Sequence, residues 1–132
     1  MENECIFCKI GKGEIPSSKV YEDNDMLAFL DIHPVNKGHL LIIPKEHFPF
    51  MPDVPDELLS KLFVKAKELM VILKKAVEAD FVVCSVVGLD VLHFHIHLVP
   101  RYHKDGLKDF WPTKEYKENE IEQFKEKIAK FI

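Results

Sequence analysis

The chain has little of what marks a secreted, membrane-bound or polymer-binding protein. It has three cysteines, an odd number that closes no disulfide framework. Its N-terminal residues show no basic segment leading into an apolar run and a small-residue cleavage site, so the expected setting is reducing and cytoplasmic. Apolar runs such as Leu40 to Pro44 and Phe81 to Val87 fall far below the ~18 residues needed to cross a bilayer. Positive charge is in deficit, with 18 Lys and Arg against 22 Asp and Glu. That balance argues against a protein that holds a nucleic acid polymer by broad phosphate neutralisation, but leaves room for a small anionic ligand at one local site. Internal repeats, low-complexity tracts and linkers are missing too. Residues 1–132 therefore read as one domain, large enough to bury a core without disulfide staples.

What is present alternates in kind. Ile6 to Lys12 suits a short helical turn ended near Gly13. Lys19 to Glu22 and Met26 to Ile32 read as strands around the polar turn Asp23, Asn24, Asp25. Gly38 opens the β-branched run from His39 to Ile43, which Pro44 closes as a buried strand. Beyond Pro49, Pro52 and Pro55, a helix capped by Asp53 or Asp56 is predicted to run to about Ala79, with Leu58, Leu62, Ala66, Leu69, Leu73 and Val77 on its apolar stripe. Phe81 to Val87 and Val91 to Val99 form two more predicted strands. A last amphipathic helix from near Asn119 is expected to set Ile121, Phe124, Ile128 and Phe131 towards the core. Hairpin strands with one long inserted helix predict an α+β fold, an antiparallel sheet of about five strands with a middle and a C-terminal helix.

The chemistry concentrates in Leu92 to Arg101, LHFHIHLVPR. If this is a strand, His93, His95 and His97 leave one face while Phe94, Ile96 and Leu98 enter the other. Three imidazoles in strict alternation are improbable as mere decoration, since histidine is not a preferred strand former. One reading places a phosphate against them. Another places a metal ion there, because His-x-His on a strand can offer two nitrogens to zinc, which would activate hydroxide. A second constellation, Cys5-x-x-Cys8, can supply half of a structural zinc site. It lacks the βαβ setting of a thioredoxin-like redox motif.

The run HFHIHL followed by Val99, Pro100 and Arg101, together with CIFCKIGKGEIPSSKVYED, LAFLDIHPVNKGHLLIIPKEH and the long middle helix, resembles the histidine triad family of nucleotide hydrolases and transferases over nearly the whole chain. The resemblance implies that His95 is the nucleophile, attacking the α-phosphate to form a nucleotidyl-histidine. It implies His97 as a phosphate-binding neighbour and His39 as a further active-site histidine. Asp31 would accept hydrogen bonds from ribose hydroxyls, and Phe29, Ile32, Ile6 and Phe7 would form an apolar slot for a purine ring. In the members that contain Cys5 and Cys8 counterparts, a structural zinc is completed by residues matching His47 and His93. The resemblance further implies a homodimer, a purine nucleotide substrate and no organic cofactor.

Departures accompany the matches. Many members have an Asn-Asn-Gly block and a Gly-Gln-Ser turn before the triad. Here Val82, Val83 and Cys84 stand in the first, and Gly88, Leu89 and Asp90 in the second. A carboxylate at Asp90 would repel phosphate unless protonated or turned away, which points to activity weakened or redirected, and Cys84 reads as a buried thiol. Arg101, His33 and His103 are left outside the site; Trp111 and the C-terminal Lys and Glu run would serve substrate selection or else packing and solubility, a solvated helix face being the default for the charges. Three functions remain open: a hydrolase using a covalent histidine, a zinc-dependent hydrolase, and a nucleotide-binding protein of decayed activity.

Overall fold

The computed structural model describes residues 4–108 and 112–132; Trp111 lies outside them. Helix α1 spans Ile6–Gly11, followed by strands β1 (Lys19–Glu22), β2 (Met26–Leu30) and β3 (Leu40–Pro44). Helix α2 spans Asp56–Ala76, β4 Phe81–Ser85, β5 Ile96–Arg101 and α3 Glu120–Ala129. The strands form one five-stranded sheet in the order β1-β2-β3-β5-β4, and each neighbouring pair is antiparallel. The α+β expectation holds.

Both faces of the sheet centre are covered, which explains why β2 and β3 read as near-continuous apolar runs instead of alternating ones. On one face Met26, Ala28, Leu40, Ile42, Ile96 and Leu98 pack with Leu62, Ala66, Leu69 and Leu73 of α2. On the other, Leu27, Phe29, Leu41 and Ile43 pack with Cys5, Phe7, Cys8 and Ile10 of the N-terminal segment. His97 pairs with Leu41 across β3 and β5, so its side chain emerges on the α1 face, where Phe29 also lies. Gly38 turns the chain into β3 at φ +100°, and a Cβ there would stand 3.2 Å from Val77 Cγ1 of the chain leaving α2. Only glycine meets both conditions without strain.

Four local expectations are corrected. The first is the cap of α2, where Pro55 occupies the N-cap and no side chain caps the helix; Asp53 instead accepts from the Phe50 amide at 3.0 Å, closing the preceding tight turn. The second is the triad strand, which begins only at Ile96. Upstream, the Phe94 amide donates to the Phe48 carbonyl at 2.6 Å, because β3 has ended at Pro44 and offers no ladder further on. The third is α3, which buries no residue: Ile121, Phe124, Ile128 and Phe131 are all exposed. Helical spacing specifies a stripe but not a surface for it to meet. The fourth is Cys84, which is exposed, since β4 is an edge strand.

Candidate active site and metal centre

Backbone carbonyls set the state of the triad. A neutral imidazole has one N–H and one lone pair, and the partner of the first decides where the second points. His95 donates its Nδ1–H to the carbonyl of His93 at 2.7 Å, leaving the Nε2 lone pair available. Phe7 packs edge-on against the His95 ring with centroids 5.0 Å apart, and Phe29 packs edge-on against Phe7 at 5.7 Å. His93 donates Nε2–H to the carbonyl of Pro44 at 2.7 Å, which turns the Nδ1 lone pair the other way.

A third histidine is controlled through a chain. The Val35 amide donates to His39 Nδ1 at 3.1 Å, so neutral His39 holds its proton on Nε2 and donates to His97 Nδ1 at 2.9 Å. His97 is left with Nε2–H. Burial disfavours the imidazolium of His39, only partly opposed by Asp31, and its pKa falls below 6.5. Burial, with help from His95 and His39, lowers that of His97 to about 4 against the pull of Asp31 and Asp90. Both are neutral at pH 7, as the hydrogen-bond chain requires.

These groups border a cavity of about 390 Å³ on the α1 face, lined among others by Ile6, Phe7, Phe29, Asp31, His95 and His97. Ile32 and Asp90 also line it. Asp31 accepts from the His33 amide through Oδ1 at 2.9 Å, while its Oδ2 stands 3.8 Å from His39 Nε2; that leaves acceptor capacity for a ligand. His39 is 3% exposed and stands behind His97, outside the lining. Ser17 lines the cavity, and its buried hydroxyl has no hydrogen-bond partner among the described residues.

His93 and His47 belong to a different cluster. Cys5, Cys8, His47 and His93 bring one donor atom each to a common point. Cys8 Sγ lies 3.2 Å from His47 Nδ1 and 3.4 Å from His93 Nδ1, Cys5 Sγ is 3.4 Å from His93 Nδ1, and the two imidazole nitrogens are 3.3 Å apart. Ordinary zinc bond lengths in a tetrahedron require about 3.3 Å between two nitrogens and about 3.6 Å between sulfur and nitrogen. The donor set, its spacing and the inward lone pair of His93 therefore fit zinc. Desolvation is the main cause that lowers the His93 pKa, and so favours its neutral, ligating form.

A model of the HIT domain matches residues 12–104. The chain belongs to the HIT family. This HIT protein is 42% identical to an adenosine 5'-monophosphoramidase of Saccharomyces cerevisiae over 87% of its own length and 74% of that protein. A HIT-family crystal structure from Bacillus subtilis matches it with a TM-score of 0.84 at 39% identity, covering 98% of this chain and 97% of that one. A zinc-bound histidine triad protein from Mycobacterium smegmatis matches with a TM-score of 0.77 at 27% identity, covering 99% and 97%.

Arg101, which the sequence leaves facing either an acidic neighbour or a phosphate, meets the acidic neighbour. Asp105 accepts from Arg101 Nε at 2.6 Å, from the Tyr102 amide at 3.1 Å and from Asn36 Nδ2 at 3.2 Å. The Arg101 guanidinium, foremost among several donors, holds its carboxyl well below the usual range. Asn36 also donates to the Pro100 carbonyl at 2.8 Å, and its own carbonyl accepts from the His39 amide. This network pins the loop that supplies the Val35 amide, and so fixes the tautomer of His39 from a distance. The spacing Arg101-x-x-x-Asp105 just past a strand was its only signal in the sequence.

Proposed function

We propose that this HIT protein hydrolyses purine nucleotide conjugates at the α-phosphate through a covalent nucleotidyl intermediate on His95. The observation that supports this most is the 2.7 Å bond from His95 Nδ1–H to the His93 carbonyl, which leaves Nε2 as a directed nucleophile in a cavity shared with His97. Nε2 bonds to phosphorus, and the bond to the leaving group breaks with its electron pair on that group, which takes a proton from solvent. The His95 ring retains its Nδ1–H and becomes cationic, a good leaving group in turn. Water then attacks phosphorus, gives up a proton, and releases the nucleoside monophosphate.

The other residues bind and orient. His97 Nε2–H donates to a phosphoryl oxygen, a bond that strengthens as charge develops there. Asp31 receives the ribose hydroxyls, while Phe29, Ile32, Ile6 and Phe7 border the purine. His39 acts through His97 as a positioning residue. Phosphoramidates are the favoured conjugates, in keeping with the yeast relative.

We further infer that Cys5, Cys8, His47 and His93 hold a structural zinc. The metal would tie α1, which brings Ile6 and Phe7 to the cavity, to the segment before β5. Four protein donors close its coordination, so it offers no open position for hydroxide and the zinc-hydrolase reading loses ground. The cysteines form no disulfide, which suits a reducing cytoplasm. A homodimer is the proposed assembly, because the exposed edge of β4 and the uncovered stripe of α3 are both surfaces that a partner would bury.

The test is to incubate the protein with adenosine phosphoramidate, quench early, and map adenylyl adducts by mass spectrometry. An adduct on His95 is expected, and His95→Ala is expected to lose activity by about a thousandfold or more while retaining zinc. Turnover through an adduct-free His95 under trapping conditions would count against the mechanism.

A further inference from the structure

Among the described residues that line the His95 cavity, Asp90 is the one carboxylate besides Asp31, and none is Lys or Arg. Asp90 and Val91 also line a neighbouring depression of about 320 Å³ together with Glu4, Cys5, Ile6, His47 and Leu92. They therefore stand on the ridge where the catalytic cavity opens into a second space. Among the described residues that space again has no Lys or Arg in its lining, and Glu4 adds a second acidic side chain. Asp90 is exposed and makes no hydrogen bond or ion pair among the described residues, so its charge is not spent within the fold.

The nucleoside side of the cavity is accounted for by Asp31 and the apolar residues, which leaves the ridge for whatever is attached beyond the α-phosphate. A polyphosphate or sulfate leaving group would bring further negative charge beside Asp90 and Glu4, with no Lys or Arg among the described lining residues to offset it. His97, in the lining of the His95 cavity itself, is held neutral by burial. A leaving group with a free ammonium reverses that balance: it finds Asp90 on the ridge and Glu4 beyond it. We propose that Asp90 makes this site select nucleotide conjugates whose leaving group is positively charged, such as phosphoramidates of diamines, over those whose leaving group is anionic. This rests on the α-phosphate reading above and narrows it, moving dinucleoside polyphosphates to the bottom of the substrate order.

Three adenosine 5'-phosphoramidates of matched length separate charge from shape: those of 1,4-diaminobutane, butylamine and 4-aminobutyrate. The cationic conjugate is expected to exceed the anionic one in kcat/KM by about tenfold or more at low ionic strength, since each charge sits a few ångströms from a surface carboxylate. The ratio should shrink with added salt. In Asp90→Asn it should fall to within about threefold, and Glu4→Gln should produce a smaller fall. Equal rates for the two charged conjugates in the unaltered protein, or a ratio unchanged by Asp90→Asn, would overturn the assignment. If none of the three conjugates turns over, the hydrolase reading fails by itself, and calorimetry with unreactive methylene-phosphonate analogues decides the matter for Asp90. The same order in Kd upholds charge selection; equal or undetectable binding rejects it.

Discussion

His97 is held neutral chiefly by burial, and this gives a measurable pH signature. Its folded-state pKa of about 4 lies below the ordinary 6.5. Between those values the unfolded chain takes up a proton that the folded one refuses, so stability falls as pH drops from 6.5 towards 4 and the loss is complete below it. Imidazole NMR is expected to show His97 titrating near 4. Because Asp31 pulls that value upwards, Asp31→Asn should lower it further; a rise would contradict the electrostatic order. The triad pattern in the sequence located this chemistry, but not the division of labour within it. His93 and His95 are two residues apart and face different tasks, because Pro44 accepts from one ring and the His93 backbone accepts from the other. No side-chain pattern encodes which carbonyl stands nearby.

Among the elements, β2, β3 and α2 were legible because burial on two faces leaves a continuous apolar run and burial of one helical stripe a periodic one. Leu62, fully buried between α2 and the sheet, is expected to cost about 2–5 kcal/mol on replacement by alanine, measured by denaturant unfolding. Gly38→Ala should cost about 1–3 kcal/mol from its left-handed backbone and the close Val77 methyl. It should also lower kcat/KM, since Gly38 immediately precedes His39; a fully stable, fully active variant would refute that role. The two elements misjudged were those whose surroundings are not local. The triad strand lost its first half when β3 ended at Pro44, and the amphipathic stripe of α3 stays exposed among the described residues.

For the whole molecule, the cavity and the Cys/His cluster are joined through the N-terminal segment, where Cys5 and Cys8 flank Ile6 and Phe7 of the cavity lining. Chelation, or Cys8→Ser, is therefore expected to lower Tm by several degrees and to raise KM more than it lowers kcat. Loss of kcat on chelation, with the fold and KM intact by circular dichroism and kinetics, would instead favour metal-bound hydroxide as nucleophile. Sedimentation is expected to give a dimer. Deletion of residues 119–132 should weaken it if α3 buries its stripe on a partner.

The residue types by themselves determined an α+β fold with a histidine row, a Cys-x-x-Cys pair and an acidic group at position 90, because hydropathy period and motif spacing are properties of neighbours along the chain. The tertiary structure decided which lone pair each imidazole presents, that Asp105 braces the loop before His39, and that Asp90 opens onto a space lined, among the described residues, by no lysine or arginine. Those depend on backbone carbonyls, amides and charges brought together from distant positions, and proton placement follows from the hydrogen-bond partner of each ring rather than from the order of residues.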